Sequence, residues 1–376
     1  MGYEGYIRLP VHLLPEDGRF GSGPTRVRQS TLDGLAALGA SYMGTSHRRP
    51  TVRKVVGRVR AGLTEMFELP DGYEVVLGNG GATGFWDAAT FGLIEKASQH
   101  LSFGEFSSKF ARAVTGAPHL DPPEIIEAPP GTHPLPSPSG RIDLYALTHN
   151  ETSTGVTMPL SRVDAEGLTV VDATSAAGAI PVDPQQFDVY YFSPQKALGG
   201  DGGMYVALCS QAAIERIRQI EGSDRWIPPF LSLGSALSNS VKDQTYNTPA
   251  LGTIFMLADT LEWINGNGGL SWATQRCQAN ARVLYGWAEK HPMAEPFVSD
   301  PNLRSIVTAT IDFKAPLSGD DLAATLRQNG LLDMESYRKL GQNQLRIGMW
   351  PSIPTADVEA LTACLDYLIE AFLNQR

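Results

Sequence analysis

Val170-Val171-Asp172-Ala173-Thr174-Ser175 and Tyr190-Tyr191-Phe192-Ser193-Pro194-Gln195-Lys196 are two apolar runs, each ending on one chemically active side chain. Short continuous apolar runs bounded by turn residues read as strands buried on both faces. A carboxylate at the end of such a strand is costly unless it has a partner or a task, although Asp also serves as a helix N-cap. Most lysines are plain surface charges. The chain has only eight, however, and Lys196 directly follows an aromatic strand and precedes Gly199-Gly200-Asp201-Gly202-Gly203.

Working outward, similar runs recur at Tyr73 to Leu77 and near Leu101, Ile125, Leu144 and Val206. Helical stretches separate several of them. One is expected from about Ala82 to Glu95. Another carries Val52, Val55, Val56, Val59, Leu63 and Phe67 on a single stripe, with Ser46 as its expected cap and Pro70-Asp71-Gly72 as its stop. Strands alternating with helices predict an α/β protein with a mostly parallel sheet covered on both faces. The proline-rich stretch from Pro118 to Pro138 reads as a surface excursion around one strand, Glu124 to Glu127, rather than as a linker. Beyond Thr248 the texture shifts to long helical patterns up to His291. Strands are expected at Ser305 to Phe313 and Gln344 to Met349. A last amphipathic helix carries Val358, Leu361, Leu365, Leu368 and Phe372. These features predict a smaller α+β domain at the C-terminal end.

Composition narrows the function. The 376 residues are 42% hydrophobic and carry a net charge of −10. That balance argues against nucleic acid, whose binding rests on Lys and Arg neutralising phosphates. It also requires a local cluster of cations wherever an anionic substrate binds. Cys209, Cys277 and Cys364 are few and scattered, with no CxxC pair, so neither a disulfide framework nor a metal site is expected. Met1 to Gly18 lacks the pattern of a secretory signal, and Tyr6 breaks the myristoylation pattern that Gly2 begins. No apolar run approaches a bilayer span. A cytoplasmic enzyme is the expectation.

Two further motifs fall at predicted strand ends, where an open parallel sheet binds its ligands. Gly78-Asn79-Gly80-Gly81-Ala82-Thr83-Gly84 links a strand to a helix, a place where backbone N–H groups can cradle a phosphate. It is neither a Walker A loop nor a clean GxGxxG, and alone it is also compatible with an unliganded turn. His149-Asn150-Glu151-Thr152-Ser153-Thr154-Gly155 closes another strand, and its plain reading is an Asx or Ser/Thr turn. A phosphate cup, an acid for a ring nitrogen and a nucleophilic lysine are together what pyridoxal 5'-phosphate needs.

At this level the chain resembles the phosphoserine aminotransferases, class-V aminotransferases within the fold-type I pyridoxal-phosphate enzymes. The resemblance runs from Phe20-Gly21-Ser22-Gly23-Pro24 through Gly44-Thr45-Ser46-His47-Arg48, Asn150-Glu151-Thr152, Gln195-Lys196 and Tyr246-Asn247-Thr248-Pro249 to Leu345-Arg346. It implies a catalytic Lys196 that carries the cofactor as a Schiff base and shuttles a proton. It implies Asp172 on the ring nitrogen, Thr152 on the ring hydroxyl and Phe106 stacked on the ring. Ala82, Thr83 and Gln195 would hold the cofactor phosphate. Asn247 and Thr248 would reach that phosphate from the other subunit of a homodimer. Arg346 would clamp the substrate α-carboxylate, with His47, Arg48 and Arg338 facing the substrate phosphate or distal carboxylate. The chain departs from many family members at Phe106 (elsewhere Trp), Thr83 (elsewhere Arg) and Tyr337 (elsewhere His). The last two changes leave Arg48, Arg49, Arg338 or Lys339 as candidates for the substrate phosphate.

The resemblance implies three parts: an N-terminal segment (1–20), a large cofactor-binding domain (21–255) and a small C-terminal domain (256–376). The implied reaction interconverts phosphoserine and 3-phosphohydroxypyruvate with glutamate and 2-oxoglutarate, in serine biosynthesis. A serine–glyoxylate type of aminotransferase is the near alternative. A cysteine desulfurase-like lyase needs a mobile Cys, but Cys209 sits in a strand pattern and Cys277 and Cys364 in helical ones. A dehydrogenase would need a cleaner glycine fingerprint and leaves Lys196 unexplained, and a binding protein without activity is the last alternative, which the colour of the purified protein decides.

Overall fold

The computed structural model describes residues 7–374. Two helices, α1 (Gln29–Leu38) and α2 (Pro50–Met66), lead into β1 (Glu74–Asn79) and α3 (Gly81–Gly92). There follow β2 (Ser98–Ser102), α4 (Glu105–Thr115), β3 (Glu124–Glu127), β4 (Leu144–Thr148), β5 (Asn150–Glu151), β6 (Val156–Thr157), β7 (Leu168–Asp172), β8 (Val189–Phe192) and β9 (Met204–Cys209). Helices α5 (Gln211–Glu221), α6 (Leu233–Ser240), α7 (Leu251–Gly266) and α8 (Gly269–Lys290) come next. The C-terminal part holds β10 (Ala294–Pro296), β11 (Thr308–Phe313), α9 (Gly319–Gln328), β12 (Gln344–Gly348) and α10 (Thr355–Asn374).

Seven strands form one sheet in the order β1-β9-β8-β7-β4-β2-β3. Every neighbouring pair is parallel except the two made by β9, which runs against both β1 and β8. The central strands are buried along their whole length, as expected for a sheet covered on both faces. Two apolar clusters lie on opposite faces. Tyr190, Phe192 and Val171 belong to the larger one, and Tyr191, Val170 and Val189 to the other, which follows the alternation of side chains along a strand. The mostly parallel sheet and its flanking helices are those expected.

Glu124–Glu127 is indeed a strand, paired only with β2 at the sheet edge and alternating between half-buried and exposed. The proline-rich stretch is therefore an excursion of the large sheet. A separate antiparallel sheet, β10-β11-β12, packs against α8 and α9, and α10 packs on α8. The division expected between residues 255 and 256 lies within α7, which runs unbroken across it. One expectation is corrected. Ser46 does not cap α2: Arg49 is the N-cap and Pro50 takes the first helical turn, where a missing N–H costs nothing.

The topology brings the carboxyl ends of β1, β4, β7 and β8 to one side of the sheet. β1 is antiparallel to β9 and β9 to β8, so β1 and β8 point the same way. The loops that leave these four strands meet in one crevice.

Candidate active site

A cavity of about 300 Å³ occupies that crevice. Its floor is made by the strand ends. Thr148 closes β4 and Asp172 closes β7, while Ser193, Gln195 and Lys196 follow β8.

Lys196 is held from three sides. Its Nζ donates to Thr152 Oγ1 at 2.7 Å and stands 5.1 Å from the centre of the Phe106 ring. Its methylenes lie against Gly23, where an added Cβ would come within 2.7 Å of the lysine chain. Gly23 also has φ +124°, so both space and backbone call for glycine. Burial lowers the Lys196 ammonium to about 7, and the Arg346 charge adds to the effect. The Asp172 and Glu151 charges oppose it. A lysine near 7 is substantially neutral at physiological pH, as a nucleophile and proton carrier must be.

Asp172 is almost fully buried. Its Oδ1 accepts from the Thr174 backbone N–H at 2.8 Å. Burial pushes its carboxyl above the ordinary 3.8, against the pull of the Thr174 hydrogen bonds and the Lys196 charge. A buried carboxylate facing a cavity is best satisfied by a cation placed in that cavity.

The phosphate cup forms at the β1–α3 junction. Gly80 and Gly81 adopt φ of +110° and +67°, turning the chain into the helix. The first helical residues, Gly81, Ala82 and Thr83, line the cavity. First-turn N–H groups have no partner within their helix, so this rim is an anion site. Gln195 lines the same end, with its Oε1 buried and unpaired.

Glu151 is wholly buried and binds the start of α4. Its carboxylate accepts from the N–H groups of Ser107 (2.8 Å) and Phe106 (3.3 Å), and from Ser153 Oγ (2.7 Å). A Cβ on Gly104 would meet Glu151 Cγ at 2.3 Å. This carboxylate at a helix N-terminus fixes Phe106 over the cavity. Nothing local in the sequence marks Glu151, since a Glu in a Ser/Thr-rich turn equally fits a solvated charge.

Arg346 comes from β12, held in register opposite Thr310. Its Nη1 donates to the Thr152 carbonyl at 3.4 Å, and its guanidinium lies 5.3 Å from the centre of the Tyr337 ring. Its Nε is buried without a partner. Burial lowers its pKa, so a bound anion would be favoured there.

Ala82, Thr83, Phe106, Thr152, Asp172, Gln195, Lys196 and Arg346 therefore converge on one cavity. His47, Arg48, Arg338, Asn247 and Thr248 do not line it in a single chain. His47 Nδ1 lies 3.2 Å from Thr248 Oγ1, Asn79 donates to Asn247 Oδ1 at 2.6 Å, and Arg48 donates to Gln244. Arg338 is exposed in a short turn, Arg338–Leu340. Tyr337, noted in the sequence only as a departure from the family, lines the cavity, as do Trp86 and Lys109, which the sequence reading did not name. Trp86 and Lys109 follow known site residues at helical spacing of three, which was a usable signal.

A buried acid, a helix N-terminus rimmed with N–H groups and a neutralisable lysine fit pyridoxal 5'-phosphate residue by residue. The fold and this site define a fold-type I pyridoxal-phosphate enzyme. Residues 139–333 match the family described as aminotransferase class-V. A phosphoserine aminotransferase of Nocardioides sp. is 53% identical over 97% of this chain and 98% of its own length. The crystal structure of a phosphoserine aminotransferase from Cytophaga hutchinsonii superposes with a TM-score of 0.87 at 24% identity, covering 93% of this chain and 99% of that one. A pyridoxal-phosphate-bound phosphoserine aminotransferase from Trichomonas vaginalis superposes with a TM-score of 0.80 at 20% identity, covering 93% and 100%. The chain belongs to the class-V aminotransferases, in the phosphoserine aminotransferase family.

The Lys196 environment makes a prediction about pH. Attachment of pyridoxal phosphate to the cofactor-free protein needs a neutral amine, so its rate should rise with pH and level off above about 7. Arg346→Met should move that inflection upward, since the Arg346 charge helps to lower it. Stopped-flow absorbance across pH 5.5–9 reads both; identical profiles would remove Arg346 from the account. Stability should follow the same linkage. The folded protein binds fewer protons than the unfolded chain between about 7 and 10.5, so this group adds stability as pH rises through that window.

Proposed function

We propose that the enzyme transfers the amino group between phosphoserine and 2-oxoglutarate, giving 3-phosphohydroxypyruvate and glutamate, in serine biosynthesis. The observation that carries this reading is that Lys196 and Arg346 stand at one buried cavity, with Thr152 bonded to both. A 2-amino acid brings a carboxylate for Arg346 and an α-proton for Lys196. The names of the relatives support phosphoserine as the donor.

Pyridoxal phosphate, when bound, supplies the electron sink that stabilises charge at the substrate α-carbon. The chain does the rest. Asp172 would keep a proton on the ring nitrogen, and its burial would strengthen that interaction. Thr152 would hold the ring hydroxyl, and it sets the direction of Lys196 Nζ. Lys196 Nζ would take the proton from the α-carbon and return it. Phe106, pinned by Glu151, would lie on the ring and exclude water. Ala82, Thr83 and Gln195 would hold the phosphate.

Asn247 and Thr248 are exposed and outside the cavity of their own chain. Their role is to complete the phosphate site of a second copy, in a homodimer with shared sites, and His47 and Arg48 would enter the substrate site the same way. Arg338 would complete it from the chain's own exposed turn. A cytoplasmic location suits three buried free thiols, Cys209, Cys277 and Cys364. No described helix is long and apolar enough to cross a membrane.

Steady-state competition tests the donor. With 2-oxoglutarate fixed, kcat/KM for phosphoserine should exceed that for serine by roughly 10- to 150-fold, the worth of one charge-assisted contact at ~1.5–3 kcal/mol. Equal values would move the enzyme to the serine–glyoxylate type.

A further inference from the structure

Three cations line the cavity: Lys109, Lys196 and Arg346. Lys196 is committed to the amino group and Arg346 to the α-carboxylate. Among the residues that line the chain's own cavity, neither is left for the distal anion of the donor. The protein carries a net charge of −10, so a phosphate cannot be held there by the global field.

We propose that Lys109, from within the chain's own cavity, joins His47, Arg48 and Arg338 in binding the distal anionic group of the substrate, the phosphate of phosphoserine. The proposal rests on the reaction given above and deepens it. Lys109 lies three residues after Phe106 on α4, so both side chains leave the same helix face. Its Nζ stands 5.0 Å from the centre of the Phe106 ring, and its side chain is 37% exposed at the cavity mouth. The ring expected to lie on the cofactor thus carries a positive charge beside it.

Among the described residues, Lys109 shares its one carboxylate partner with two other cations. Its carboxylate neighbour, Glu105, lies 3.7 Å away, beyond a normal hydrogen bond. Glu105 is instead claimed by Lys339 at 2.6 Å, with Arg112 at 3.5 Å. Three cations thus share Glu105, and Lys109 is the most loosely held of them. A lysine on a flexible four-carbon stem suits a phosphate as a mobile point charge.

The test is the ratio of two half-saturation concentrations, those at which each amino acid half-saturates the rate of the single-turnover half-reaction. Phosphoserine and serine are titrated into the pyridoxal-phosphate-loaded wild type, K109M and K109R, following the visible spectrum. The wild type should half-saturate at a phosphoserine concentration at least about 10-fold below that for serine. K109M should lose most of that ratio and K109R should keep most of it. A role confined to holding Phe106 would weaken both ligands alike and leave the ratio intact, which overturns the proposal. A wild type with no preference would sink the phosphoserine reading and this proposal together. A preference that K109M retains would sink the proposal alone. Because the side chain is partly exposed, thermal melts of the variants should match the wild type, and K109R controls for any that do not.

Discussion

Lys196→Ala protein, purified and given excess pyridoxal phosphate, should turn over phosphoserine about 10⁴-fold more slowly than the wild type, or worse, because general acid–base transfer alone accounts for roughly 10²–10⁴. Two functions leave with this one side chain. Its Nζ attaches the cofactor, and the same atom moves the α-proton. Reduction with borohydride followed by intact mass measurement should show one covalently retained cofactor per wild-type chain and none on the variant. The fold should survive, since the lysine fills space against Gly23 and Thr152 but anchors no secondary structure. Residual activity within tenfold of the wild type would show that the reacting lysine is elsewhere.

Asp172→Asn should separate catalysis from stability. An amide cannot hold a proton on the ring nitrogen, so kcat should fall by about 10²- to 10⁴-fold, as for loss of a positioned proton-transfer partner. Stability of the cofactor-free protein should hold steady or rise. The carboxyl has a folded-state pKa above 3.8, so folding disfavours its charged form. That penalty grows as pH rises from 3.8 through the folded value and is complete above it. Asparagine carries no charge and can still accept from Thr174 N–H, so the penalty disappears. Thermal melts at pH 7.5 without cofactor, set beside kcat with cofactor, read both arms. A variant that keeps wild-type kcat would remove Asp172 from the chemistry. One that melts much lower without cofactor would show a structural role instead.

Much of the sheet was legible because β4, β7, β8 and β9 are buried on both faces. Each is a run of apolar residues cut off by Gly, Pro, Asp or Asn. Their active residues sit at the cut, which is why Asp172 and Lys196 stood out. The β5–β6 pairing, at Asn150–Glu151 and Val156–Thr157, is too short to carry any periodicity. The cap of α2 was misplaced because Ser46 is a good cap by type, while the Pro50 backbone decided the true start. Glu151 was passed over because nothing local distinguishes a buried carboxylate from a solvated one. Its partners, Phe106 and Ser107, lie more than forty positions away in the chain. Arg346 was nominated by resemblance alone, and its approach to Thr152 is a property of how the two sheets pack.

The most direct measurement is a half-reaction. The pyridoxal-phosphate-loaded enzyme is mixed with phosphoserine alone, with no acceptor, and its visible absorption is followed. The account requires that the bound-cofactor band disappear in a single turnover, that 3-phosphohydroxypyruvate form in equal amount, and that 2-oxoglutarate restore the band. An unchanged band with phosphoserine, or an equal response to serine at the same concentration, would contradict it.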